Sequence, residues 1–158
     1  MSDVVVTLTL RAWAPVHASM AAALGERLNA RIYPDWAVEQ EDGVRVACLD
    51  PNTEVTVAVD GAEVLGFVAV AIEPADASGE IDMIAFDPAA QRRGVGRVLT
   101  EHAVERLRAA GCTLAVVTTG GDPGHAPARA LYEAAGFTGL PLVRYYRTLT
   151  RPETRRGP

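Results

Sequence analysis

The chain contains no lysine. All 15 of its basic side chains are arginine, and against 20 carboxylates they leave a formal net charge of -5 over 158 residues. That balance excludes a protein whose affinity comes from neutralising nucleic-acid phosphates or anionic lipid, and it favours small or cationic partners. Cysteine is scarce too: Cys48 and Cys112 stand in separate apolar segments, with no CxxC spacing and no nearby cluster of His or Cys ligands. This argues against both a metal site and a disulfide framework. No run of about 18 apolar residues occurs, and no basic stretch followed by an apolar one opens the chain. The expectation is a cytoplasmic protein with no nucleic-acid or membrane partner; a homodimer is compatible, though no interface stripe marks one. What is present is 49% apolar and 22% charged residues, enough for one domain with one continuous core over residues 1–150. Residues 151–158 carry no apolar anchor and read as a disordered tail.

The β-branched and apolar run at residues 4–10 predicts a first strand, and the spacing of Val16, Met20, Ala23 and Leu24 predicts a helix over residues 15–28. Residues 32–38 read as a loop or a short second helix. Residues 53–59 and 64–72 are rich in β-branched side chains and are joined by Asp60-Gly61-Ala62-Glu63, a hairpin signature. Residues 80–86 form a fourth predicted strand, ended by Asp87-Pro88 because proline cannot donate to a ladder. Val95, Leu99, Ala103, Leu107 and Ala110 fall on one helical face, with Gly111 as the stop. Residues 113–119 then read as strand, residues 127–135 as a helix ended by Gly136, and residues 143–149 as a last strand. A helical crossover between the strands at 80–86 and 113–119 makes those two parallel, whereas the hairpin is antiparallel. The fold class is therefore α/β (α+β), a mixed twisted central sheet with helices on both faces.

Between the fourth strand and the long helix stands Gln91-Arg92-Arg93-Gly94-Val95-Gly96-Arg97. Glycine lacks Cβ, so backbone N–H groups there can approach a bulky anion, and the first turn of a helix has unpaired donors and partial positive charge. A diphosphate supplies matching acceptors. The absence of lysine excludes a Walker A loop, and Leu99 in place of a third glycine weakens a Rossmann reading. A surface turn with basic decoration is the plain alternative.

The run Glu80-Ile81-Asp82-Met83-Ile84-Ala85-Phe86-Asp87-Pro88, followed by Gln91 to Gly96, resembles the central motif of the GNAT acetyltransferases, whose loop is Q/R-x-x-G-x-G/A. A second family element, a helix ending L-Y-x-x-x-G-F, is matched by Leu131-Tyr132-Glu133-Ala134-Ala135-Gly136-Phe137. The resemblance is close over residues 80–137. It implies the GNAT fold, in which the parallel fourth and fifth strands splay apart, and acetyl-CoA as cosubstrate. The pantetheine arm would lie between those strands on the backbone of Ile84, Ala85 and Phe86. The pyrophosphate would lie on Gln91, Arg92, Arg93, Gly94, Val95, Gly96 and Arg97. His125 stands where the family often has asparagine and is expected to contact the cofactor.

The activity so implied is acetyl transfer to a primary amine of a small molecule or peptide, which needs a neutral nucleophile, a held oxyanion and a proton for the departing thiolate. Tyr132 matches the family tyrosine near the thioester sulfur and is the expected general acid. Glu80 matches a frequent family carboxylate and is the expected base, with Asp82 two residues on and facing the same side. A backbone N–H near Ile84 would hold the oxyanion. His17 and His102 read as structural. The acceptor pocket is expected from residues 32–36, the polar loop at 73–76, and Tyr145 and Tyr146. A second reading is a non-catalytic acyl-CoA-binding module with the same glycine loop and no acceptor pocket.

Overall fold

Residues 4–10 are helical, not extended. In the computed structural model, which describes residues 2–149 and all side chains from Asp3 to Leu149, helix α1 runs from Ser2 to Leu24. Val5, Leu8 and Thr9 are each 1% exposed, and His17 is buried on the same side two turns on. That is helical spacing, so tertiary burial overrides the strand preference of the β-branched run. The threonine hydroxyls are absorbed by the helix itself: Thr7 Oγ1 donates to the Asp3 carbonyl at 2.9 Å and buried Thr9 Oγ1 to that of Val5 at 2.7 Å. The helix expected to begin at residue 15 is the continuation of α1, with Pro15 in its interior. Helices α2 (Glu26–Ile32) and α3 (Trp36–Leu49) follow, the latter capped by Asp35, whose carboxylate accepts from the Val38 N–H at 3.3 Å.

Strands β1 (Thr53–Asp60) and β2 (Glu63–Glu73) form the expected hairpin, turning at Gly61 with φ +61°. β3 (Ser78–Phe86) pairs antiparallel with β2, and β4 (Leu114–Val117) pairs parallel with β3 after the crossover through α4 (Val95–Ala109). The sheet order is β1-β2-β3-β4, and α5 (Ala126–Ala134) follows β4. With residues 4–10 helical, the strands expected as fourth and fifth are β3 and β4. The last predicted strand, residues 143–149, enters no ladder among the described residues. Its apolar side chains find no cover: Val143 is 74% and Tyr145 88% exposed. Strand preference is a preference for a pleated, half-buried surface, and this segment has none to join. The expectation of a disordered tail at 151–158 lies outside the described residues.

Helices cover both sheet faces, as the fold class requires. On one face Val95, Leu99, Ala103 and Leu107 of α4 pack on Leu65, Val68, Val70 and Ile81. On the other, Val5, Val6 and Leu8 of α1 and Val44 of α3 pack on Phe67, Ala69 and Ala85. Ion pairing adds to the first contact: Arg106 reaches the Glu54 carboxylate through Nε at 2.7 Å and Nη2 at 2.8 Å, and the arginine holds that carboxyl below its ordinary range. His102 shares a hydrogen bond with Thr56 at 3.2 Å. Among the described residues no helix is long and apolar enough to cross a membrane.

Candidate active site

β3 and β4 stay paired only from Ser78–Leu114 to Ile81–Val117. At the next residue the β3 ladder to β2 skips: Val70 faces Ile81 and Ala69 faces Met83, leaving Asp82 without a partner. Such a bulge bends its strand. β3 runs on to Phe86 while β4 ends, and the gap between them opens into a cleft of about 560 Å³. Ile84, Ala85 and Phe86 form one wall, Val117, Thr118 and Thr119 the other. Beyond Ile81 the edge of β3 that faced β4 carries backbone groups with no strand to meet among the described residues, and such groups call for a ligand or water.

The mouth of α4 closes one end of this cleft. Gly94, its N-cap, has φ +77°, a left-handed conformation that a side chain would strain, and a Cβ there would meet nothing within 4 Å. Gly96 serves differently: a Cβ there would lie 2.9 Å from the ring of Phe86, so its absence lets the helix sit on β3. Val98 is the first residue of this turn whose N–H finds a backbone acceptor, the Gly94 carbonyl at 3.1 Å. The N–H groups of Val95, Gly96 and Arg97 precede it and, among the described residues, have no backbone acceptor. Gln91, Arg92, Gly94, Val95, Gly96 and Arg97 all line the cleft. Arg93 does not; it turns back to Asp60 at the hairpin, 2.6 Å away.

The other end is formed by α5 and the loop before it. Gly136, with φ +88°, ends α5: its N–H donates to the Glu133 carbonyl at 3.1 Å, and that of Phe137 to the Tyr132 carbonyl at 3.0 Å. This double bond pattern, with the Phe137 ring edge-on to Tyr132 at 6.1 Å, is a Schellman cap and explains the spacing L-Y-x-x-x-G-F. Tyr132 is 7% exposed and lines the cleft, and burial pushes its phenol up to about 12. It is therefore neutral and a hydrogen-bond donor throughout the physiological range.

His125 also lines the cleft, and its surroundings are more constructed than a loop histidine requires. Its Nδ1 is bonded to Asp122 Oδ1, while Asp122 Oδ2 accepts from Ser19 Oγ of α1 at 2.8 Å and from the Gly124 N–H at 3.2 Å. Burial works to raise the Asp122 carboxyl, but the bonds from Ser19 and His125 outweigh it and hold it below its ordinary range. Arg129 of α5 fixes the loop backbone, donating to the carbonyls of Gly120 at 2.6 Å and Asp122 at 2.8 Å.

The acetyltransferase (GNAT) family model matches residues 19–137. The chain belongs to the GNAT acetyltransferase family. A mycothiol acetyltransferase of Beutenbergia cavernae is 44% identical over 73 residues, 46% of this chain and 24% of that protein. The streptothricin acetyltransferase of Streptomyces lavendulae is 33% identical over 128 residues, 78% of this chain and 65% of that protein. The chain thus spans about a quarter of the first relative and just under two thirds of the second. A GNAT-family protein of Desulfovibrio desulfuricans shares the fold, with a TM-score of 0.65 at 21% identity over 89% of this chain and 80% of that one. The donor of acetyl groups in the GNAT family is acetyl-CoA.

Within this GNAT frame the structure separates the expected site residues. Ile84 to Phe86, the glycine loop apart from Arg93, His125 and Tyr132 come together around one cleft. Glu80 does not: it is exposed and outside the lining, whereas Asp82, at the bulge, is within it. Tyr33 and Trp36, expected around the acceptor, turn onto His17 instead, Trp36 stacking on its ring at 4.4 Å and Tyr33 meeting it edge-on at 5.3 Å. Trp13, which lines the cleft with its ring edge-on to His125 at 6.4 Å, and Ser19, Gly120 and Asp122 were not singled out by sequence reasoning. The signal available was the pair Gly120 and Gly124 around an Asp and a His, in a loop that a surface turn would not need to crowd.

Proposed function

We propose that the protein is a cytoplasmic, acetyl-CoA-dependent N-acetyltransferase acting on a primary amine of a small molecule or peptide. The observation that carries this reading is the cleft, which joins the unpaired edge of β3, the open first turn of α4 and the buried phenol of Tyr132 in one space. Amides of a pantetheine arm match the free edge groups of β3, and a diphosphate matches the N–H groups of Val95, Gly96 and Arg97 with Arg92 beside them. The bound donor supplies an acyl thioester. Tyr132 then offers its O–H to the departing sulfur. A phenol near 12 facing a thiol of about 8.5 gives up its proton only at a cost of roughly 5 kcal/mol, so Tyr132 stabilises the thiolate by donation and passes a proton only as one is returned to it. The names of the relatives favour a small-molecule amine over a peptide.

A non-catalytic binding module would need the donor sites without the phenol and the imidazole that face the same cleft, and it is the weaker reading. Thiol release from acetyl-CoA, measured against aminoglycosides, amino sugars, polyamines, amino acids and peptide amines, separates the two. Amine-dependent release matched by an N-acetyl product is expected with at least one class. Thermal stabilisation by acetyl-CoA with no release above hydrolysis across the panel would leave only the binding module.

A further inference from the structure

The arrangement around His125 has the form of a held base. A carboxylate can only accept, so Asp122 fixes the proton of a neutral His125 on Nδ1 and leaves the Nε2 lone pair on the opposite edge of the ring. Among the described residues no protein partner meets Nε2, and the ring lines the cleft that also holds Tyr132. Asp122 is itself oriented from a second element, α1, by Ser19, whose hydroxyl also accepts from the Gly124 N–H at 2.8 Å. The pair has been given room at the expense of side chains on both flanks. A Cβ on Gly120 would fall 2.5 Å from both Asp122 Oδ1 and His125 Nδ1, and one on Gly124 would fall 2.5 Å from Ser19 Cβ. A histidine that merely touched a ligand would need neither the carboxylate nor this clearance.

We infer that His125 is the general base of the acetyl transfer, with Asp122 and Ser19 as positioning residues, and that it takes the place expected for Glu80. The inference rests on the proposed acetyltransferase function. Nε2 accepts one proton from the substrate ammonium. The neutral amine nitrogen attacks the thioester carbonyl, forming the C–N bond, and the C–S bond then breaks. The second nitrogen proton passes to the leaving sulfur by way of the Tyr132 hydroxyl. The proton on His125 returns to solvent, so the products are the amide, the free thiol and one proton. Among the described residues His17 of α1 lies close enough to His125 to interact with it, Arg129 of α5 is engaged by the loop carbonyls, and Asp82, Arg92, Arg97 and Tyr132 line the same cleft. His17 is buried and stacked on Trp36, and its Nδ1 is buried without a partner, so it is placed to stay neutral beside the base.

His125→Asn and Asp122→Asn decide the matter, assayed by thiol release over pH together with acetyl-CoA binding by thermal shift. Asparagine keeps a donor and an acceptor at the position but cannot take up a proton. For His125→Asn, kcat is expected to fall at least about a hundredfold with the acetyl-CoA shift unchanged, and the acid limb of the kcat/KM profile to disappear. For Asp122→Asn a smaller fall in kcat is expected, with the acid limb displaced and not abolished. His125→Ala, with activity partly restored by added imidazole, guards against a folding defect. If His125→Asn keeps kcat, or loses activity only as a raised KM for acetyl-CoA, His125 is a cofactor contact and the base role is wrong. If the wild-type protein binds acetyl-CoA but releases no thiol with any amine, the acetyltransferase reading fails and this role with it.

Discussion

The loop at the mouth of α4 and the loop before α5 both carry glycines and both border the cleft, yet their hydrogen bonds run in opposite directions. The first is open: Gly94 turns the chain, a Cβ there would touch nothing, and among the described residues the N–H groups of Val95, Gly96 and Arg97 have no backbone acceptor. The second is closed on itself, with Ser19, Asp122, Gly124, His125 and Arg129 satisfying one another. An open loop is suited to receive an anion whose acceptors complete it. A closed loop is suited to hold one side chain in one orientation. Glycine content alone does not distinguish the two; what a Cβ would meet does.

The largest effect expected from breaking this contrast is at Gly120. Gly120→Val forces a side chain into the Asp122–His125 pair, and we expect thiol release to fall more than about a hundredfold. Overpacking of this kind costs about 1–3 kcal/mol, readable in urea unfolding. Next is Tyr132→Phe, for which turnover is expected to fall about tenfold, the scale of one lost hydrogen bond to a charged atom. Its pH signature is separate. The unfolded phenol ionises near 10.0 and the folded one at about 12, so in that window the unfolded chain has released a proton that the folded chain keeps. Wild-type stability therefore falls as pH rises from 10 to 12, by up to about 3 kcal/mol from this group, and Tyr132→Phe removes that share of the alkaline loss.

A smaller effect sharpens the open loop. Arg92 lines the cleft and Arg93 is paired with Asp60, so Arg92→Ala should weaken acetyl-CoA binding about fivefold while Arg93→Ala stays within about twofold, by calorimetric titration at fixed salt. The smallest effect is at His17, whose ring is held below its ordinary 6.5, first by burial and then by His125. Its contribution to stability is complete above pH 6.5 and is lost as pH falls, because the unfolded chain gains a proton the folded one resists. His17→Phe should flatten that acidic decline, and an unaltered slope of stability between pH 7 and 5 would contradict it.

How much of this was legible in the sequence follows from the range of the forces involved. The hairpin at Gly61, the amphipathic face of α4 and the stop at Gly136 are local, so composition and spacing were enough. Val4 to Leu10 satisfies strand preference and helical burial alike, and only the packing of Val5, Val6 and Leu8 on the sheet decides between them. Residues 143–149 had the right composition for a strand but find no pairing strand among the described residues, which no local pattern reveals. The cleft lining from Ile84 to Arg97 was readable since one chain segment supplies it. The setting of the proposed base was not: Ser19 and Asp122 are separated by 103 positions, and nothing in either neighbourhood points to the other. Glu80 had the chemistry but sits where β3 is still paired with β4, opposite Val116, and outside the cleft lining.

The central claim is that the cleft between the parted strands receives acetyl-CoA with its diphosphate on the open loop. Backbone amide chemical shifts, followed by two-dimensional NMR as acetyl-CoA is added, test it residue by residue. The largest movements are predicted at Gly94, Val95, Gly96 and Arg97 and along Ile84 to Phe86, with smaller ones at His125 and Tyr132. Saturating shifts confined to other elements, with the amides of Gly94 to Arg97 unmoved, would contradict the account.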